Sequence, residues 1–280
     1  MYTGLRTTAA LQTFAAFWRV NKVEGKCRKS AGLAGSMMNE RGRTTITAHA
    51  GSLGTPDNSA ESFAAALALN VDYLEADLRF AADGRAYLSH DPLPERDIPQ
   101  AMSLDALLSM AVAHPTAKLN LDLKEYSALG PMVELINRRG MADRVVLTGI
   151  EAGNIAEARK SCSSLTYFLN ASPSFVQRRT TAGARSLARE IAGYGAAGLN
   201  TYHRYATPKI ARALAEAGLL LSVWTVDSEE GIRAFLAMGA DNVTTRRIDL
   251  ALELAQVQAQ AQAQAQALRE ASGEAKGDGR

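Results

Sequence analysis

The stretch Asp72-Tyr73-Leu74-Glu75-Ala76-Asp77-Leu78-Arg79-Phe80-Ala81-Ala82-Asp83-Gly84-Arg85-Ala86-Tyr87-Leu88-Ser89-His90 decides how the chain folds. Asp72–Leu78 reads as a strand, and because strand side chains alternate, Glu75 and Asp77 share one face. Asp83-Gly84 lies between the apolar segments Leu78–Ala82 and Arg85–Tyr87 and is a strong hairpin signal. So short a connection also leaves no room for the crossover helix that a parallel neighbour needs. We therefore expect Ala86–His90 to fold back antiparallel on Asp72–Leu78. A two-residue turn would set Asp77 opposite His90.

Outward from this hairpin, short apolar runs alternate with amphipathic segments of helix length. The other runs are Thr45–His49, Lys118–Lys124, Arg144–Thr148, Thr166–Asn170, Gly198–Asn200, Leu219–Val226 and Asn242–Thr244. Between them lie Ser59–Leu69, Ser103–Val112, Gly130–Arg139, Asn154–Lys160, Arg185–Gly193, Pro208–Glu216 and Glu229–Met238. This alternation over residues 44–250 predicts an α/β fold, a TIM (β/α)8 barrel. Residues 1–43 read as a basic, disordered extension, or as a transit peptide or an upstream segment before a start at Met37 or Met38. Residues 251–280, rich in Ala and Gln, read as a helical to disordered tail, since both residues favour helix over sheet.

The 280 residues carry 31 Lys and Arg against 29 Asp and Glu, net +2, which is too balanced for a nucleic-acid partner. Six cations against Glu24 alone make residues 1–36 net +5, leaving −3 on the rest. No apolar run reaches the roughly 18 residues of a membrane span, so no stable membrane insertion is expected. Aromatic content of 6% argues against intact lipids as substrates. Cys27 and Cys162 form no metal-ligand or disulfide pattern, and reduced thiols in a cytoplasmic setting are the simplest reading.

A barrel interior is expected to be apolar, with chemistry at the C-terminal strand ends. Those ends here carry His49, Glu75, Asp77, Asp122, Lys124, Asn170, Asn200, Thr225 and Asp227. Glu75, Asp77 and Asp122 would repel one another unless protonated or bound to a cation, and together they suit a hard divalent metal, Mg2+ or Ca2+. A lone carboxylate at a strand end is more often a helix cap or an ion-pair partner. Two strand-end imidazoles, His49 and His90, shift the balance towards acid–base cleavage of a phosphodiester. His114, before Pro115 at a helix end, reads as a partner of the helix dipole. His203 lies on the site side with no assigned role.

Over Thr45–Asp249 these residues resemble the glycerophosphodiester phosphodiesterase family. The resemblance rests on six ordered blocks: His49-Ala50-Gly51 followed by Pro56-Asp57-Asn58-Ser59, Glu75-Ala76-Asp77, Asp83-Gly84 with His90-Asp91-Pro92, Leu119–Lys124, Val223–Asp227 and Thr244–Asp249. It implies a TIM barrel, His49 and His90 as the acid–base pair, and Glu75, Asp77 and Asp122 as ligands of a divalent metal. Lys124 would contact phosphate and Trp224 would shape the alcohol side of the pocket.

Three departures bear on this. Ala50 stands where the family has a phosphate-holding Arg, and Arg79 and Arg204 are candidates to compensate. Asp57 and Asp122 replace glutamates. Only Asp91–Ala117 separates His90 from the next strand, so a longer family loop is absent and the pocket should be more open. The expected function is metal-dependent cleavage of glycerophosphodiesters or related small polar diesters, to an alcohol plus a phosphomonoester or cyclic phosphate. The alternative is a ligand-binding pseudoenzyme that lost turnover with the Arg at position 50.

Overall fold

The structure is a computed structural model that describes residues 43–274, with side chains to residue 268. Expectations for residues 1–42, including Cys27, and for the last six residues lie outside them. The strands are β1 (Thr45–Ala48), β2 (Tyr73–Phe80), β3 (Ala86–Leu88), β4 (Lys118–Leu123), β5 (Val145–Ile150), β6 (Thr166–Asn170), β7 (Gly198–Tyr202), β8 (Leu220–Trp224) and β9 (Asn242–Thr245). All but β3 run parallel in the order β1-β9-β8-β7-β6-β5-β4-β2, and β1 pairs back on β2 to close an eight-stranded barrel.

Around it lie α1 (Ala60–Ala68), α2 (Leu104–Val112), α3 (Leu129–Arg138), α4 (Ile155–Ser161), α5 (Phe175–Arg179), α6 (Thr181–Tyr194), α7 (Pro208–Glu216), α8 (Glu229–Met238) and α9 (Ile248–Glu274). Hydroxyl caps start six of them: Ser59, Ser103, Ser174, Thr180, Thr207 and Ser228 each accept a backbone N–H from the first turn of α1, α2, α5, α6, α7 and α8. In α2 the buried positions Leu104, Leu107, Leu108 and Ala111 form one stripe facing the sheet. The carbonyls at the C-terminal end of α2 are met by Arg144, which donates to Ala111, His114 and Ala117 oxygens. The dipole partner there is Arg144, not the exposed His114. The five-residue α5 was not legible as a periodic segment, because it spans little more than one turn.

The hairpin forms, but one residue out of the expected register. Leu78 pairs with Leu88, Arg79 with Tyr87 and Phe80 with Ala86. Ala81 N donates to Arg85 O, and Gly84 sits at φ +84°, so the turn has three residues, Ala82-Asp83-Gly84. Ser89 rather than His90 therefore bonds Asp77, through Ser89 N to Asp77 O at 3.1 Å. His90 lies one step past the arm and is exposed.

The interior of the barrel also departs from expectation. Tyr73, Val146, Phe168 and Leu220 make an apolar floor. Above it Thr47, Glu75, Asn120, Thr148, Asn200, Ser222, Asn242 and Thr244 are all buried. Asn242 Oδ1 accepts from Thr45 and Thr47 hydroxyls, and its Nδ2 donates to Ser222 Oγ at 3.0 Å. The main apolar core lies on the other face of the strands, where Leu74, Leu78, Leu119, Leu121, Leu123 and Leu147 pack under the helices. A parallel strand is buried on both faces, and here its outer face carries most of the apolar burial.

At the base of β7, a Cβ on Gly198 would come within 2.0 Å of Leu220 O, whereas one on Gly193, inside α6, would meet nothing. Gly198→Ala should therefore cost about 3 kcal/mol or more or prevent folding, while Gly193→Ala should stabilise by about 0.5–1 kcal/mol. Chemical denaturation of the two variants distinguishes these outcomes.

Candidate active site

The pairing of β2 with β4 sets Glu75 beside Asn120 and Asp77 beside Asp122, all facing inward. One carboxylate oxygen from each of Glu75, Asp77 and Asp122 lies within 4.8 Å of the other two. Oxygens ligating one Mg2+ or Ca2+ stand about 2.0–2.6 Å from the ion and hence no more than about 5 Å apart. The all-oxygen donor set and its spacing fit one hard divalent cation.

Lys124, one residue past β4, reaches between the carboxylates, with Nζ 2.8 Å from Asp77 and 2.6 Å from Asp122. Desolvation opposes its charge, but the two carboxylates outweigh that and raise its pKa. Asp77 is likewise desolvated, yet Lys124 and Asn58 hold its carboxyl below the ordinary value. Asn58 donates from Nδ2 to Asp77 Oδ2 at 2.8 Å and accepts Asp77 N at 3.0 Å. This clamp was quoted within Pro56–Ser59 without a role, because its partner is far along the chain. Glu75 is buried, and desolvation followed by the charges of Asp77 and Asp122 pushes its carboxyl well above the usual range.

His49 follows β1 and is anchored by its N–H to Thr245 O in β9. Its Nδ1 lies 2.7 Å from Ala50 O. A carbonyl only accepts, so Nδ1 carries the proton and Nε2 presents a lone pair. At 3.7 Å, Glu75 Oε2 is too far from Nδ1 for a hydrogen bond. Burial lowers the His49 pKa, the Ala50 carbonyl works against this, and the Arg246 charge lowers it further. The imidazole is thus neutral near pH 7. Ala50 serves through its backbone, donating N–H to Glu75 Oε2 at 2.9 Å. Gly51 turns the chain at φ +75°, where a Cβ would come within 1.8 Å of Asp57 Oδ1.

His90 stands at the mouth with Nδ1 3.0 Å from Asp91 Oδ1, and its charge is among those felt by Asp77. Arg79 does not hold a free guanidinium towards the mouth: Nε and Nη2 both donate to His90 O, at 3.0 and 2.8 Å. Arg204 is exposed and lies over the Tyr202 ring, 6.0 Å from its centroid, away from the carboxylates' hydrogen bonds. Among the described residues neither guanidinium is paired with Glu75, Asp77 or Asp122. Trp224 ends β8 at the rim, 5.8 Å from Tyr202.

The cation that does neighbour His49 is Arg246, a residue the sequence reading passed over. β9 pairs with β1 up to Ala48 and Thr245, which sets Arg246 level with His49, and Arg246 O accepts Leu53 N. Asp227 fixes the Arg246 backbone N–H at 2.8 Å but holds its guanidinium only loosely, at 3.7 Å. Strand order was the missing information, since β1 and β9 are the ends of the barrel sequence.

Fold and cluster together define a (β/α)8 barrel with an acidic cation-type site flanked by imidazoles at its C-terminal mouth. Residues 49–107 match the glycerophosphoryl diester phosphodiesterase family profile. A "Probable glycerophosphodiester phosphodiesterase 2" of Mycobacterium tuberculosis is 27% identical over 229 residues, covering 70% of this chain and 83% of that protein. A glycerophosphodiester phosphodiesterase from Parabacteroides distasonis superposes with TM-score 0.65 at 18% identity, covering 78% of this chain and 98% of its own. An Oleispira antarctica phosphodiesterase, solved with its product sn-glycerol-3-phosphate, gives 0.63 at 16%, covering 77% and 98%. The chain is thus similar to the glycerophosphoryl diester phosphodiesterase family in sequence over residues 49–107 and to glycerophosphodiester phosphodiesterases in fold over most of its length.

A carboxyl with a raised folded pKa destabilises as pH climbs above its unfolded value, because folding then opposes ionisation. Without divalent metal, the Glu75 contribution to stability should become more unfavourable as pH rises above about 4.5, the ordinary Glu value. Glu75→Gln should flatten that decline and raise the metal-free melting temperature at pH 7 by a few degrees. A scan of melting temperature against pH in chelator, on both proteins, is the check.

Proposed function

We propose that this chain is a metal-dependent phosphoric diester hydrolase that cleaves glycerophosphodiesters or related small polar phosphodiesters to an alcohol and a phosphomonoester or cyclic phosphate. The observation that carries this reading is the convergence of Glu75, Asp77 and Asp122 oxygens within 4.8 Å, beside an imidazole whose Nδ1 is held by the Ala50 carbonyl. A divalent ion, Mg2+ or Ca2+, held by the three carboxylates would supply positive charge against the phosphoryl oxygens.

His49 Nε2 is the general base, taking a proton from water or from a neighbouring substrate hydroxyl. Its Nδ1–H bond to Ala50 O fixes the tautomer for that task. His90, with Nδ1 held by Asp91, is the general acid that protonates the leaving alkoxide. Arg79 is a positioning residue that holds the His90 carbonyl. Lys124 and Arg246 contact the phosphate, with Arg246 supplying the charge that Ala50 lacks, and Trp224 borders the alcohol. An exposed mouth suits polar alcohols of varied size. Retention of both imidazoles and a cation beside His49 favours turnover over the pseudoenzyme alternative.

The deciding experiment is a screen of glycerophosphodiesters and sugar phosphodiesters with Mg2+, Mn2+ or Ca2+ added, then with EDTA. Cleavage that needs a divalent ion is expected. His49→Ala and His90→Ala should each lower kcat at least about 100-fold with little change in melting temperature; unchanged turnover in either refutes its role.

The base must be neutral, so kcat/KM should fall with decreasing pH on a limb centred below 6.5, the ordinary His value. Arg246→Ala should raise KM about tenfold and move that limb upward, because it removes a charge that lowers the His49 pKa. Steady-state kinetics across pH 5–8 measures both.

A further inference from the structure

The β6–β8 side of the mouth carries a surface of which phosphodiester cleavage uses Trp224 alone. Phe175 and Val176 are adjacent on α5 and stand 65% and 59% exposed. Scattered apolar residues need no explanation, but Phe175 carries the Arg179 guanidinium 5.4 Å from its ring centroid, and α5 also supplies Arg178 to a row of rings. The Arg178 guanidinium lies 5.2 Å from the Tyr205 ring centroid, Tyr205 lies 6.0 Å from Tyr202, and Tyr202 lies 5.8 Å from Trp224. Few aromatic residues are present in the sequence, and folding gathers several of them on one rim.

Around α5 and the end of β7 the charge is mostly positive, since Glu190 is the one acidic residue between Ser174 and Thr207, while Asp227 and Glu229 beyond β8 are each paired with an Arg. Arg185, Arg233 and Arg246 each pair with a carboxylate. Among the described residues Arg178, Arg179 and Arg204 pair with aromatic rings instead. Of these Arg179 and Arg204 are exposed, and exposed guanidiniums beside projecting apolar side chains complement a surface that is anionic outside and apolar beneath. A peptide partner would need a groove to receive its anchors, whereas Phe175 and Val176 project outward. Tyr and Trp suit the boundary between headgroups and acyl chains.

We propose that the rim formed by α5 and the ends of β7 and β8 docks reversibly on an anionic phospholipid membrane. Phe175 and Val176 enter the headgroup–acyl boundary, while Arg179 and Arg204 meet lipid phosphates. Docking would present the barrel mouth to the membrane surface. No helix among the described residues is long and apolar enough to cross a membrane, so attachment is peripheral. The inference does not depend on the assigned chemistry, because binding is measured without turnover.

The test is co-sedimentation of the full chain with vesicles of phosphatidylcholine, with or without about 30 mol% phosphatidylglycerol. Binding to the anionic vesicles is expected, about tenfold tighter than to the neutral ones, and weakened in about 0.5 M NaCl. The double variant Phe175→Asp, Val176→Asp should lose about tenfold in vesicle affinity while cleaving a soluble diester as the unaltered chain does. Arg179→Glu, at an exposed position, carries the same test if the double variant melts early. Absent binding, equal affinity for both vesicle types, or binding undiminished in these variants would overturn the proposal. The last result would place any vesicle binding elsewhere on the chain.

Discussion

Three carboxylates that would repel one another in solution are held together at the mouth of this barrel, and most of the local structure answers that repulsion. The β2–β4 register brings Asp77 and Asp122 side by side and leaves Glu75 one layer deeper. Each is then compensated by different means. Lys124 bridges Asp77 and Asp122, Asn58 clamps Asp77, and the Ala50 amide donates to Glu75, whose burial favours the protonated form. Such a group costs stability when metal is absent and gains it when a cation binds, so folding and ligation are coupled.

The rest of the barrel makes that concentration of charge tolerable. Burying apolar side chains on the outer face of the strands, beneath the helices, frees the inner face for hydrogen-bonded Asn, Thr and Ser. Those groups lead from an apolar floor up to the carboxylates, and Thr148 Oγ1 touches both Asn120 and Asp122. The mouth is also asymmetric. Carboxylates and imidazoles gather along β1, β2 and β4, whereas rings and guanidiniums line the ends of β7 and β8.

Much of this was legible in the chain because it depends on local patterns. Every apolar run proposed as a strand is one, and the alternation of Glu75 with Asp77 already put both on one face. What failed depended on geometry that no local pattern encodes. Gly84 closes a three-residue rather than a two-residue turn, which shifts His90 off Asp77. Arg144 reaches the end of α2 from 30 or more residues away, displacing the nearer His114 from that role. Arg246 and His49 become neighbours only because the first and last strands meet when the barrel closes. The interior was expected to be apolar because strand composition does not say which of two buried faces is the inner one.

Crystals grown with Mn2+ and measured on either side of its absorption edge give the most direct view of the site. A single anomalous peak bonded to oxygens of Glu75, Asp77 and Asp122, with the Lys124 ammonium moved off at least one of them, is the expected result. An empty cluster with Lys124 still bridging Asp77 and Asp122 at saturating Mn2+, or a peak elsewhere on the chain, would contradict the convergence on which the assignment rests.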